Sequence, residues 1–249
     1  MNPKTKIVLV IFYLLPSFLL FSKQSGKWNE LLKVRSDCVT WVSLTMRIEV
    51  SAGGRSLPPQ EQKLEALGTV IAEDGLTVLS LTTIDPKSKI MSRLRTGSAS
   101  IQVKYTEVLI LKPDGTEIPA MVLLKDADLD LAFVLPTGEQ SVPFPIYCTP
   151  SKKTSQTEVL DEVVSLGKLG KNLYRQSILK KGYINAVIDK PRKYLIVENS
   201  SPGTPVFNAD GNWLGVSAFK MERGQPSALV TLPTKDILEI AEQVRIRTQ

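Results

Sequence analysis

The sequence of 249 residues contains no histidine. Imidazole is the side chain best suited to moving a proton near neutral pH and a common zinc ligand. An imidazole base and a zinc site built on His are therefore excluded. Two cysteines, Cys38 and Cys148, stand 110 positions apart. That spacing does not fit a metal knuckle, and two ligands alone make no structural zinc site. With no His and no CxxC partner, nothing activates either thiolate. The pair reads as two buried thiols or as one disulfide, which over so long a loop would add ~4–5 kcal/mol. Asp126, Asp128 and Asp130 alternate in DADLD, but a calcium loop also needs a Gly and a later Glu. The run therefore reads as a turn entering a strand. Lys180-Lys181 and Lys190–Lys193 (KPRK) are small basic spots that suit solvated turns, or contact with an acidic partner or lipid headgroup. No metal or cofactor is expected.

The elements that must position such residues are bounded first by composition. With 43% hydrophobic and 22% charged residues, the chain has core for one large domain or two small ones and is not broadly disordered. The net charge is +6. Lys4 and Lys6 supply two of that excess and the rest forms no block, so nucleic-acid binding is not expected. The same two lysines precede the apolar run Ile7–Phe21 (IVLVIFYLLPSFLLF). At ~1.5 Å per residue the run spans roughly 22 Å, short of the ~30 Å hydrocarbon core, and Pro16 and Ser17 interrupt it. Residues 1–25 read as a secretory signal cleaved near Ser22 or Ser25, or as a short uncleaved anchor. Either places the chain outside the cytoplasm, periplasmic or extracellular, with membrane contact only through an uncleaved N-terminal segment.

From Cys38 onward short strands and turns dominate. Cys38–Val50 is β-branched and ends at SAGGRSLPP; Asp74-Gly75 and Asp114-Gly115 each sit between two apolar runs as hairpin turns. Leu129–Leu135 is another strand. Pro136–Thr157, polar and rich in proline, reads as a crossing between halves. Strands resume at Glu162–Leu166, Ser177–Ala186, Tyr194–Glu198, Pro205–Asn208, Trp213–Phe219 and Ala228–Leu232. Thr234 then caps a helix whose Ile237, Leu238, Ala241 and Val244 share a face. This spacing predicts an all-β chain of two antiparallel β-barrels, 28–136 and 141–249, with a C-terminal helix.

Four segments, in order, resemble the trypsin-like serine proteases of the Do-like (high-temperature-requirement) branch. They are GTVIAEDGLTVLSLTTI (Gly68–Ile84), KPDGTEIPAMVLLKDADLDLAF (Lys112–Phe133), SPGTPVFNADGNWLGVSAF (Ser201–Phe219) and Leu229–Val244. The resemblance covers about residues 35–246 and implies the double β-barrel of that family. It ends at the C-terminal helix, with no PDZ domain expected to follow.

The resemblance also implies a degenerate catalytic triad. The family histidine falls at Thr82, the aspartate is kept as Asp130, and the nucleophile position, three residues before Pro205, holds Pro202. Serine catalysis needs a hydroxyl, a base in reach and a group that orients the base. Proline also lacks the backbone N–H that would be one oxyanion donor, a loss of ~3–4 kcal/mol in the transition state. The glycine supplying the other donor aligns with Ser200. A register shifted by one residue places Ser201 at the nucleophile position. Only a lysine (Lys168, Lys171, Lys180 or Lys181) could then be the base, and it would have to be desolvated enough to be neutral. Ala218-Phe219-Lys220 matches the strand on which the family pairs substrate backbone, a mode that needs no triad. The chain thus reads as an exported, catalytically inactive pseudoprotease. It would bind a peptide or protein partner, with an active homologous protease among the candidates. The alternative is a serine endopeptidase with a rewired, histidine-free centre at Ser201.

Overall fold

Alternating apolar residues and Asp-Gly turns fold the chain into two closed barrels. The computed structural model describes residues 26–53, 55–93, 100–138, 143–151 and 157–248. The apolar run Ile7–Phe21 and its cleavage positions lie outside them. Among the described residues no helix is long and apolar enough to cross a membrane.

The first barrel follows helix α1 (26–35) and joins β1 (Val39–Ala52), β3 (Gln60–Val70), β4 (Thr77–Ser80), β7 (Leu131–Pro136), β6 (Glu117–Asp126) and β5 (Ser100–Leu111). Pairing of β5 back onto β1 closes it, and β2 (Arg55–Ser56) only lengthens the β1 hairpin. Between β4 and β5 lie the one-turn helix α2 (Leu81–Ile84) and α3 (Lys87–Arg93). The second barrel runs β10 (Tyr194–Val197), β13 (Gln225–Pro233), β12 (Trp213–Glu222), β11 (Pro205–Asn208), β8 (Glu162–Lys168) and β9 (Ser177–Ile188). Helix α4 (Thr234–Thr248) follows. Two closed antiparallel six-stranded barrels with a C-terminal helix form the trypsin-like double barrel that the sequence predicts. Helices α1 to α3 and the polar ends of β3, β5, β12 and β13 were not predicted.

Each barrel has its own filling, around Val42, Leu44 and Ile110 in the first and around Val163, Ile184 and Val206 in the second. A third apolar cluster joins them. Leu76, Val78, Leu131 and Phe133 meet Val164, Phe207, Val216 and Ala218, with Ile237, Ala241 and Val244 of α4 against the same mass. Side chains at these positions are removed from water on both barrels at once, at roughly 2 kcal/mol for each large aliphatic or aromatic group. Polar ties help fix the relative setting, two of them away from Asp130. Trp41 Nε1 donates to the Leu169 carbonyl (3.0 Å), and Arg175 forks onto both oxygens of Glu65 (3.0 and 2.8 Å). The guanidinium holds the Glu65 carboxyl below its usual range. Thr234 is the first residue of α4, and instead of the expected cap its hydroxyl donates to the Trp213 carbonyl (2.9 Å), roping the helix start to β12.

The crossing between barrels folds back on the first. Phe144 N–H donates to Glu73, Cys148 N–H donates to Val70, and the Phe144 ring occupies the space where a side chain at Gly75 (φ +82°) would stand. This seats Cys148 against Cys38, two free buried thiols with their Sγ atoms 3.3 Å apart. Burial pushes the Cys148 thiol up, and the neighbouring Cys38 thiol adds to the shift. A group whose folded value is raised stabilises the fold fully below its ordinary value near 8.5 and ceases to do so as pH climbs through the folded value. The urea midpoint of reduced protein should therefore fall as pH passes about 8.5, and fall less in Cys148→Ser. A midpoint equally flat or equally falling in both proteins would contradict it.

Candidate functional site at the barrel interface

Asp130 anchors the site. It follows the turn in which Asp126 Oδ1 accepts the N–H groups of Asp128 and Leu129 (both 3.0 Å), a local Asx turn as the DADLD pattern predicts. Its φ of +57° is a left-handed conformation that Asp tolerates better than most residues. The carboxylate is 1% exposed and accepts three hydrogen bonds. Ser80 Oγ donates to Oδ2 (2.5 Å), Thr82 N–H to Oδ1 (2.6 Å), and Phe219 N–H to Oδ2 (2.8 Å) across the barrel boundary. Leu81 N–H donates to the Asp130 carbonyl (2.8 Å), so both ends of the residue hold the turn into α2.

Thr82 therefore meets Asp130 through its amide and not its hydroxyl. The hydroxyl lies 4.0 Å from Met221 Sδ, so the Thr82 side chain looks towards β12. A cleft of about 300 Å³ beside it runs between Leu64, Thr83, Lys89 and the hairpin tip at Gln225-Pro226.

The Ser201–Thr204 turn closes on itself. Thr204 N–H (3.2 Å) and its hydroxyl (2.6 Å) both donate to the Ser201 carbonyl, and Ser201 N–H donates to Thr204 Oγ1 (3.3 Å). Gly203 locks the turn between the barrels. Its N–H donates to the Ser217 carbonyl (2.7 Å), its carbonyl accepts the Thr69 hydroxyl (2.8 Å), and its φ is +79°. Pro202 sits at the crown of this turn without an amide hydrogen to offer an oxyanion.

Of the four lysines considered for Ser201, the structure brings up Lys180, whose ammonium donates to Ser201 Oγ (2.9 Å). Lys168 points elsewhere: burial pushes it down and Asp37, at 3.6 Å, works against that shift. Lys181 is taken by Glu162 (2.7 Å), which raises it. Lys171 lies in the β8–β9 loop, in the 3₁₀ turn Lys171–Leu173.

The strand proposed for peptide pairing needs one correction. Ala218 is fully buried and lies opposite Val230 in the β12–β13 ladder, so it has neither side chain nor backbone to offer. Ser217 and Phe219 spend their N–H groups on Thr204 and Asp130, so odd-numbered residues of β12 turn their backbone away from β13. The irregularity between Lys220 and Met221 places an extra residue, Ser227, on β13 and keeps that alternation. Since β11 pairs with β12 only as far as Val216, the Phe219 carbonyl and the amide and carbonyl of Met221 face the groove between the barrels. Lys220 is paired with Glu222 (2.7 Å) at the rim. Met221, Ser80 and the choice of Lys180 were missed in the sequence. Only the period-2 alternation past Phe219 could have pointed to Met221.

No family model matches the chain. It is 27% identical over 179 residues to Serine protease HTRA4 of Mus musculus, a stretch that makes up 69% of this chain and 33% of that relative. The chain thus spans about a third of the length of the curated relative it matches. The two barrels and this similarity together support kinship with trypsin-like serine proteases.

Proposed function

We propose that the chain is an exported pseudoprotease that holds an extended segment of a peptide or protein partner along β12 without cutting it. The observation that carries this reading is how Asp130 is engaged. A carboxylate that would orient a catalytic base instead accepts Ser80, Thr82 and Phe219, and the chain has no histidine for it to orient. Pro202 supports the same reading because it supplies neither hydroxyl nor amide. The Phe219 carbonyl and the Met221 amide and carbonyl suit backbone pairing, which requires no nucleophile. An active homologous protease is one candidate partner, since a loop of such a protein could enter the groove in extended form. Export rests on Lys4, Lys6 and the apolar run after them.

Fluorescence anisotropy with labelled, unfolded casein fragments tests the groove. Met221→Pro removes one edge donor, and the expected result is at least a tenfold loss of affinity, about 1.4 kcal/mol, with an unchanged melting temperature. Equal affinity in a folded variant would exclude β12 as the binding edge.

One observation favours a second reading, a serine endopeptidase with Lys180 as base: the 2.9 Å contact between Lys180 Nζ and Ser201 Oγ. Against it, a lysine acts as base when burial strips water from it, and Lys180 is exposed. A fluorophosphonate probe should leave Ser201 unlabelled under the first reading. Labelling abolished by Lys180→Ala would establish the second.

A further inference from the structure

The first barrel also has an open edge, on the strands β5 and β6, whose lining shares no residue with the cleft beside Thr82. Their ladder covers only Leu109↔Pro119, Ile110↔Ile118 and Leu111↔Glu117. Beyond it β5 continues back to Ser100 paired with β1 alone, and β6 continues to Asp126 paired with β7 alone. The strands diverge there around a cavity of about 470 Å³ lined by residues 105–109 and 119–122. Thr137 N–H donates to the Pro119 carbonyl, so Met121 carries the next bonds to β7 and alternation turns the amide and carbonyl of Val122 into the notch. Unpaired strand edges are templates for another extended backbone.

The side chains around the notch define its occupant further. Met121 is 49% exposed, Val108 and Pro119 line the walls, and Tyr105 stands at the far end with its hydroxyl on the Ile84 carbonyl (3.2 Å). Lys125 lies over the Tyr105 ring, 4.2 Å from its centre. Partial burial pushes the Lys125 ammonium down, while Asp85 acts from a distance to raise it. Among the described residues no carboxylate forms a salt bridge with Lys125. Asp126, the acidic group next to it in sequence, spends Oδ1 on the N–H groups of Asp128 and Leu129 (both 3.0 Å), and Glu107 is held by the Thr45 hydroxyl (3.2 Å). A partly desolvated cation without a salt-bridge partner, at the end of a backbone edge, is complementary to an acid carried on a strand.

We infer that the β5–β6 notch takes up a short extended segment of a partner protein, paired by its backbone and carrying a carboxylate that meets Lys125. This surface is independent of the β12 groove, so either can fail without the other.

The test uses the full chain and a labelled, end-blocked hexapeptide, Thr-Val-Glu-Val-Thr-Val, with hydrogen–deuterium exchange and anisotropy as readouts. Bound peptide should slow exchange in residues 106–109 and 120–123. A copy N-methylated at alternate residues should bind about tenfold more weakly, having lost its backbone donors. Lys125→Glu should weaken the Glu peptide by a similar factor and bind the copy with Lys in place of Glu. The charge swap reads the notch without removing any backbone bond of the barrel. Protection confined to residues 219–222 would overturn the inference and assign the peptide to the β12 groove. Equal binding of the N-methylated copy, or no protection at millimolar peptide, would also overturn it.

Discussion

Replacing Asp130 by alanine should lower stability by about 4 kcal/mol, the cost of leaving three buried donors without their acceptor. The donors come from both barrels: Ser80 and Thr82 from the first and Phe219 from the second. Alanine would also hold the left-handed φ of +57° less well than Asp, adding part of that loss. Asp130→Asn separates the contributions. Asparagine tolerates the backbone and keeps one acceptor oxygen but points an NH₂ at donors, so about 2 kcal/mol is expected. Urea unfolding measures both. A loss below 1 kcal/mol in Asp130→Ala would mean that the carboxylate is not a strut between barrels, and it would be free for other chemistry.

Gly203→Ala should have a comparable effect through a different cause. At φ +79° any side chain is strained, and a Cβ here would overlap the Leu67 backbone carbonyl oxygen. The turn cannot swing aside, because Ser217 accepts its amide hydrogen on one side and Thr69 donates to its carbonyl on the other. Displacement of a backbone carbonyl in β3 would loosen the contact between barrels, so the expected loss is on the order of 4 kcal/mol or failure to fold. Gly115→Ala is the control. Its φ is +87°, but nothing stands within 4 Å of the added carbon, and about 1 kcal/mol is expected from backbone strain alone. If the two substitutions cost the same by urea unfolding, the close approach at Gly203 has no energetic weight.

The legible parts of the fold were those where local chemistry and tertiary environment agree. Asp74-Gly75 and Asp114-Gly115 both turn where the sequence places turns, each with its Gly at positive φ. The predicted strands pair around the two barrels. Legibility fails where a strand leaves the core: β3 begins at Gln60 with QEQK, polar on both faces because water lies on both sides, and β12 ends in KME, half-buried or exposed. The β12–β13 tip turns through Arg223 and Gly224, both at positive φ, where no Asn-Gly or Asp-Gly marks it. Helix α1 carries its signal in Trp28, Leu31 and Leu32 at helical spacing, three residues that pack on the shared core.

The candidate site divides along the same line. The absence of histidine and the proline at 202 are properties of the sequence. That Asp130 would turn to Ser80, Thr82 and Phe219 depends on how two barrels pack. The Lys180–Ser201 contact depends on placing β9 beside a turn 21 residues later. Such neighbours follow from closure of the second barrel, not from any local pattern.

The most direct measurement of non-cleaving capture is mass spectrometry of casein fragments that co-purify with the chain after prolonged incubation, beside a Ser201→Ala variant. Retained fragments of unchanged mass, the same for both proteins, are the expected result. New peptide termini produced by the wild-type chain and absent with Ser201→Ala would contradict it and make Ser201 a working nucleophile.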